Sequence, residues 1–177
     1  MSRGWVTAAL HAGLCVAVAA PAVAGNRGSL PRFKARALSG VPKTEQDVLG
    51  QPAVLVITPT KHAAVACKAW GDKLQKSLPS NVGLWALLAL DIPFLVPHEY
   101  AVRKAQEKVP PPLWDRTWLL TGGGMDKKLG VPSEAGEPYV FAVDATGKVV
   151  AKARGAVTEE KIDRIAEALE AAKTTVR

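Results

Sequence analysis

Cysteine is nearly absent from this chain: its 177 residues include two, Cys15 and Cys67. Cys15 lies in an apolar N-terminal run with the marks of a removable leader, so the mature chain would keep one thiol. A single thiol closes no internal disulfide, and the fold must then stand on its core alone. A metal site built from several cysteines is excluded on the same count. Aromatic residues are also few, at 6%, and none interleave with the basic residues. No helix-turn-helix or RNA-binding signature appears either, so no nucleic-acid partner is expected. Thr121-Gly122-Gly123-Gly124 is rich in glycine but lacks the Gly-Lys-Ser/Thr ending of a phosphate loop, which argues against a nucleotide site. There is no internal repeat and no long low-complexity segment.

The N-terminus carries the plainest signal. Arg3 supplies a positive start, Trp5 to Ala20 is an almost uncharged run of small apolar residues, and Ala22-Val23-Ala24 offers a small-x-small cleavage pattern. This predicts a signal peptide over residues 1–24, cleaved before Gly25, and a periplasmic or secreted protein. The run is too short and interrupted for a membrane span, which wants about 20 apolar residues; a retained N-terminal anchor is the alternative. Leu14 is bulky where a lipid-modified cysteine wants a small predecessor, so Cys15 is expected to leave with the leader. Removing 24 of the 177 residues leaves 153, enough for one domain with a real core. The formal charge of +7 loses only Arg3. The remaining basic residues are scattered, among them Arg32, Lys34, Arg36, Lys127, Lys128, Lys148, Lys152 and Arg154. They suit at most a weak contact with an anionic surface such as lipid or wall polymer.

Residues 25–34 read as a flexible tail, although Phe33 to Leu38 already alternates like a strand. Ser39 to Lys43 reads as a turn. Ala53 to Ile57 is a continuous Val/Ile-rich run that suits a strand covered on both faces. Thr58-Pro59 then gives a helix start, with a hydroxyl at the cap and proline in the first turn. The helix would run to Leu78 with Ala66, Trp70, Leu74 and Leu78 on its apolar stripe and Cys67 on the flank. Leu84 to Leu90 is a second fully apolar strand, Glu99 to Val109 a helix, Pro110-Pro111-Pro112 an extended stop, and Arg116 to Leu120 a third strand. A brief helix around Met125 to Leu129 follows. Tyr139 to Val143 and Lys148 to Ala153 make a hairpin with Gly147 at its positive-φ position. Thr158 to Ala172 closes the chain as a helix with Ile162, Ile165, Ala166 and Leu169 inward. Helices between buried apolar strands imply parallel crossovers, and the last hairpin makes the sheet mixed. The expected fold class is α/β, a central mixed sheet flanked by helices.

At this point several stretches resemble the redoxin family of the thioredoxin-like fold. Ala37-Leu38-Ser39-Gly40 through Gln51-Pro52 resembles its opening hairpin, and Val54-Leu55-Val56-Ile57 its core strand. Gly136-Glu137-Pro138-Tyr139 resembles its cis-proline corner, and Phe141 to Val149 the strand–turn–strand that follows. The resemblance spans about residues 35–173. The departure matters more. Relatives carry Cys-x-x-Cys where the core strand meets its helix, because the helix end tunes a thiolate there. If Cys67 matches the second family cysteine, Ala64 stands where the nucleophile belongs. It also stands where a peroxiredoxin would need threonine.

The resemblance therefore implies a diverged, non-catalytic module that binds an extended segment of a periplasmic or envelope protein. The expected groove comprises Thr58, Pro59, Thr60, His62, Glu137 and Pro138. The alternative is a single-cysteine thiol oxidoreductase with Cys67 as catalytic residue; Lys61, His62 and Lys68 would help by lowering its pKa. A basic envelope-associated structural protein is a third reading. Cys67 sits about two turns into the expected helix, beside Trp70, where a packed, inert cysteine is the ordinary outcome. His62 and His98 read as solvated residues. A copper-binding relative would need two cysteines and a histidine that this chain lacks, so neither metal nor cofactor is implied. Trp114 and Trp118, four apart, would share one face if both lay on a strand, as core or as a binding surface.

Overall fold

The computed structural model describes residues 28–90, 92, 95–121, 125–132 and 134–175. The segment read as a signal peptide, Cys15 and the triple glycine at 122–124 lie outside the described residues. Among those described, no helix is long and apolar enough to cross a membrane.

Ala53–Thr58 (β3) is buried at all six residues, as its unbroken apolar run requires. Alternation sends Leu55 and Ile57 to one face of the sheet and Val54 and Val56 to the other. Around it the chain builds one seven-stranded sheet. Lys34–Ala37 (β1) pairs with Pro42–Thr44 (β2) and with Thr117–Leu120 (β5), both antiparallel; Gly83–Leu88 (β4) lies parallel to β3 and to β5. Tyr139–Val143 (β6) runs antiparallel to β3 and to Val149–Arg154 (β7). The order across the sheet is β2-β1-β5-β4-β3-β6-β7. The parallel pairs need crossovers, which Ala64–Ser77 (α1) and His98–Gln106 (α2) supply. Met125–Lys128 (α3) is a single turn, and Glu159–Thr175 (α4) closes the chain. Thr158 Oγ1 accepts the Lys161 N–H at 3.3 Å as the cap of α4.

Two cores result. On one face Phe33, Leu87, Phe141 and Val143 surround Trp118, which stacks on Trp85 with centroids 4.8 Å apart. On the other, α1 and α4 press Trp70, Leu74, Ile162, Ile165 and Leu169 onto Val54, Val56, Val140 and Ala142. The hairpin turn between β6 and β7 follows the sequence closely: Gly147 has φ 85, and Asp144 Oδ1 accepts from the N–H of Thr146 and of Lys148.

Five expectations need correction. The tail read as flexible is docked from Gly28 onward. The Leu30 N–H donates to Gly147 O at 2.7 Å, Ser29 bridges to Lys148, and Leu30 and Phe33 are buried; two apolar anchors seven and four residues before Ala37 hold what turn composition alone suggested was loose. Part of the segment read as a turn is strand β2, because Gly40, with φ 96, folds the chain back on β1. Residues after Pro110 form a 3-10 turn, Pro111–Arg116, rather than an extended stop. The first turn of such a helix leaves its N–H groups unused, so prolines cost nothing there. β4 is only half-buried except at Leu87; an apolar run shows that a face can be covered, not that a layer reaches it. Finally, the helix after β3 starts later than Pro59, with consequences taken up next.

Candidate functional site

Thr58 ends β3 and is buried, as is Pro59. A residue before proline is biased to extended backbone, so the strand persists to Thr58 instead of giving way to a helix cap. Thr60 takes the cap position, with φ −138 and ψ 163, and a 3-10 turn over Lys61–Ala63 leads into α1. Its hydroxyl does not cap that turn. It donates to Ala135 O at 2.9 Å, which ties the helix start to the loop before β6.

The inward stripe of α1 is Ala63, Cys67, Trp70 and Leu74, so Cys67 stands in the middle of the packed face and not on its flank. Its exposure is 8%, and its Sγ donates to Ile57 O at 3.7 Å. Burial pushes the thiol above its ordinary pKa, and a hydrogen bond with Thr58 pulls the other way without offsetting it. Lys61, His62 and Lys68 all point to solvent, and Lys68 is paired with Asp72 at 2.6 Å. Ala64 opens α1 at an exposed position.

Pro138 departs from expectation. No cis peptide bond occurs among the described residues, so Glu137–Pro138 is trans. Pro138 is buried, and its carbonyl accepts the Gly155 N–H at 3.0 Å. Gly155 O in turn accepts Trp70 Nε1–H at 2.8 Å. The corner is thus a hydrogen-bonded brace between α1, the end of β7 and the start of β6, not an open backbone edge. The Gly155 turn, at φ 75, draws Pro138 inward and spends the carbonyl that a bound segment would otherwise use.

The surface above the brace is a wide, open depression of about 510 Å³, lined by Pro132, Glu134, Ala135, Gly136, Glu137 and Tyr139. Of the six residues expected to form a groove, Glu137 lines this depression, Thr60 supports its floor through Ala135, and His62 lies exposed on the helix start. Thr58, Pro59 and Pro138 are interior. Glu134, Ala135 and Tyr139 were missed; the segment before β6 that carries the first two, with Tyr139 opening the strand, was the available signal, since loops on a rigid sheet commonly carry binding surfaces. Glu137 Oε1 lies 3.9 Å from Arg154 Nε, both side chains well exposed.

The other candidates fall elsewhere. Trp114 sits on the 3-10 turn and donates to Val109 O at 2.9 Å, whereas Trp118 on β5 is fully buried and donates to Asp115 O at 2.7 Å. They do not share a face, because only Trp118 is in a strand. His98 is exposed as the first residue of α2. Among the described residues no three His, Cys, Asp or Glu side chains gather into a metal-binding group.

No family model matches the chain, and no curated protein matches it. Solved structures do. The pneumococcal exposed lipoprotein thioredoxin of Streptococcus pneumoniae strain TIGR4 superposes with a TM-score of 0.56 at 14% identity, covering 77% of this chain and 98% of its own. A thiol peroxidase from Chromobacterium violaceum gives 0.55 at 17%, covering 84% and 87%. A SCO1/SenC family lipoprotein from Bacillus anthracis str. Ames gives 0.54 at 19%, covering 82% and 96%. At these identities the likeness establishes the fold: a thioredoxin-like α/β sheet, of the kind the sequence resemblance implied.

Proposed function

We propose that this protein is an exported thioredoxin-fold module that binds a segment of an envelope partner at the loop end of its sheet, and does not carry out two-cysteine exchange. One observation carries the reading. The thiol of Cys67 is packed into the layer between α1 and β3, with burial raising its pKa, while the exposed helix start holds Ala64 in place of a nucleophile. A thiol that is both covered and protonated attacks slowly on two counts. The depression from Pro132 to Tyr139, propped on Thr60 and braced through Pro138, Gly155 and Trp70, supplies a pre-formed surface beside that inert position. Export rests on the leader pattern of residues 1–24.

The test is alkylation of Cys67 in the folded chain against pH. Reaction through transient opening of a packed layer should run at about one-hundredth of the denatured rate or less, since each 1.36 kcal/mol of opening free energy is tenfold. The rate should climb with pH without a plateau below about pH 8.5. Fast reaction with an early plateau would instead support the single-thiol oxidoreductase. The binding half is checked by NMR shift mapping with unstructured peptides. Shifts gathered at residues 132–139 are expected, and shifts spread over the surface, or none, count against the module.

A further inference from the structure

The helical layer stops short of one side of the sheet. Register places Leu119 of β5 and Arg36 and Lys34 of β1 on the face that α1, α2 and α4 cover, with Pro42 beside Arg36 and Thr44 beside Lys34. Val102 of α2 packs with Leu119, and Gln106 Nε2 at the end of α2 donates to Leu38 O at 2.7 Å. Beyond α2 no helix follows. β1 and β2 are the last two strands of the sheet, and on this face Lys34 and Pro42 are exposed while Arg36 and Thr44 are half-buried. The result is a ledge two strands wide beside α2.

The ledge carries charge of one sign. The side chains of Lys34 and Arg36 enter none of the ion pairs found among the described residues. The two nearest acids are engaged elsewhere. Asp47 pairs with Lys43 at 2.9 Å, and Lys43 belongs to the other face of the sheet, where it lies 5.6 Å over the Trp118 ring. Glu45 accepts the Phe33 N–H at 3.2 Å and is coupled to the charge of Arg32. A guanidinium half withdrawn from water, with no acceptor of its own, keeps its forked donors for an incoming anion.

We infer that this ledge binds an extended acidic segment of a partner protein, with carboxylates at alternate residues. Side chains two apart on a strand repeat at about 7 Å. Lys34 and Arg36 therefore stand at the spacing at which an extended peptide presents every second side chain, and its carboxylates meet the two cations in register. Pro42, exposed beside Arg36, gives the apolar stems of those acidic side chains a surface that a phosphate polymer has no groups to use. A flat membrane is a poor fit, because a helix about 10 Å thick stands beside the ledge and meets a plane first. Residues 1–27 of the chain hold no Asp or Glu, so they do not supply such a segment. The formal charge of +7 favours encounter with an acidic partner over a second copy.

The experiment is a titration of the ¹⁵N-labelled full chain, reading the backbone amides of residues 34–44 and the Arg36 Nε–H. The probes are a short peptide with Asp or Glu at alternate positions, its counterpart with Asn and Gln, tripolyphosphate, and vesicles containing anionic lipid. Saturable shifts gathered on residues 34–44 with the acidic peptide, and absent with its amide counterpart, are expected. Raising NaCl from about 50 to about 300 mM should weaken this binding severalfold, since exposed contacts are screened. R36Q should weaken it about fivefold, between an exposed and a buried charge pair. K34Q changes an exposed side chain, so it keeps the test open should R36Q fail to fold, and should weaken binding about twofold. No shift up to about 10 mM acidic peptide, equal shifts with the amide peptide, shifts centred on residues 132–139, or binding unchanged in the variants overturns the inference. Equal or tighter binding of tripolyphosphate or of the vesicles also overturns it, and assigns the ledge to phosphate or to lipid.

Discussion

Replacing Trp70 and Trp85 each by phenylalanine removes the same atoms from two indoles whose nitrogens are in opposite situations. Trp70 is fully buried, and its N–H meets Gly155 O at 2.8 Å. W70F leaves that carbonyl without its partner, at a cost of about 1–3 kcal/mol. The smaller ring adds an internal void worth about 1–2 kcal/mol, a fraction of the 3–5 of a full truncation. The sum is about 2–5 kcal/mol, which for a chain of this size lowers Tm by roughly 4–20 °C. W85F breaks no hydrogen bond found among the described residues, where the Trp85 nitrogen has no partner. Removing an unmet buried donor relieves about 1–3 kcal/mol, against about 1 kcal/mol of stacking on Trp118 and some lost area. W85F should therefore stay within about 1 kcal/mol of the parent. Urea unfolding followed by far-ultraviolet circular dichroism gives both differences from the midpoints at constant slope. Equal destabilisation by the two variants, or a larger loss in W85F, would refute the hydrogen-bond assignment on which the brace rests.

Other expectations are simpler. G147A should cost about 1–3 kcal/mol by urea unfolding, since φ there is 85 and the new Cβ would lie 2.6 Å from Leu49 Cδ2. D144A should cost a similar amount at neutral pH, because Asp144 Oδ1 accepts from the Thr146 N–H, the Thr146 hydroxyl and the Lys148 N–H. Burial of Asp144 pushes its pKa up, but the bonds from Thr146 and Lys148 outweigh that and hold it below the ordinary carboxylate range. A depressed folded pKa contributes stability that is complete above the unfolded value of about 3.9 and is lost as pH falls through the folded one. The stability of D144A should thus fall less steeply than the parent's below about pH 4, and parallel acid limbs would show that the turn does not depend on the charge.

Much of the fold was legible because it depends on local pattern. The Val/Ile run at 53–57 could only be an interior strand, the Asp144-to-Lys148 turn carries its own hydrogen-bonding residues, and the stripe of Ile162, Ile165 and Leu169 orients α4 by period alone. Helices between strands then imply parallel crossovers, and few sheets satisfy that order. The candidate site was legible only in part. That Cys67 and Cys15 are the two cysteines of the chain is a matter of counting, and the place of Cys67 beside Trp70 already suggested packing.

Whether Cys67 stands on the flank or at the centre of the packed face was another matter. That depended on where α1 begins, and Pro59 pointed to the wrong residue because the bias of a residue before proline favoured the strand. The brace that holds the buried Pro138 runs through Gly155 to Trp70, the latter nearly seventy residues away in sequence. The close packing of Trp85 and Gln51 over Gly83 joins the starts of β3 and β4, and no local pattern marks a side chain that is missing. The sequence by itself determined where most strands and helices lie and that the chain holds two cysteines, because these follow from period and count. Only the tertiary structure decided which polar groups find partners and which stay unmet, because a hydrogen bond between distant segments exists only once the layers have packed.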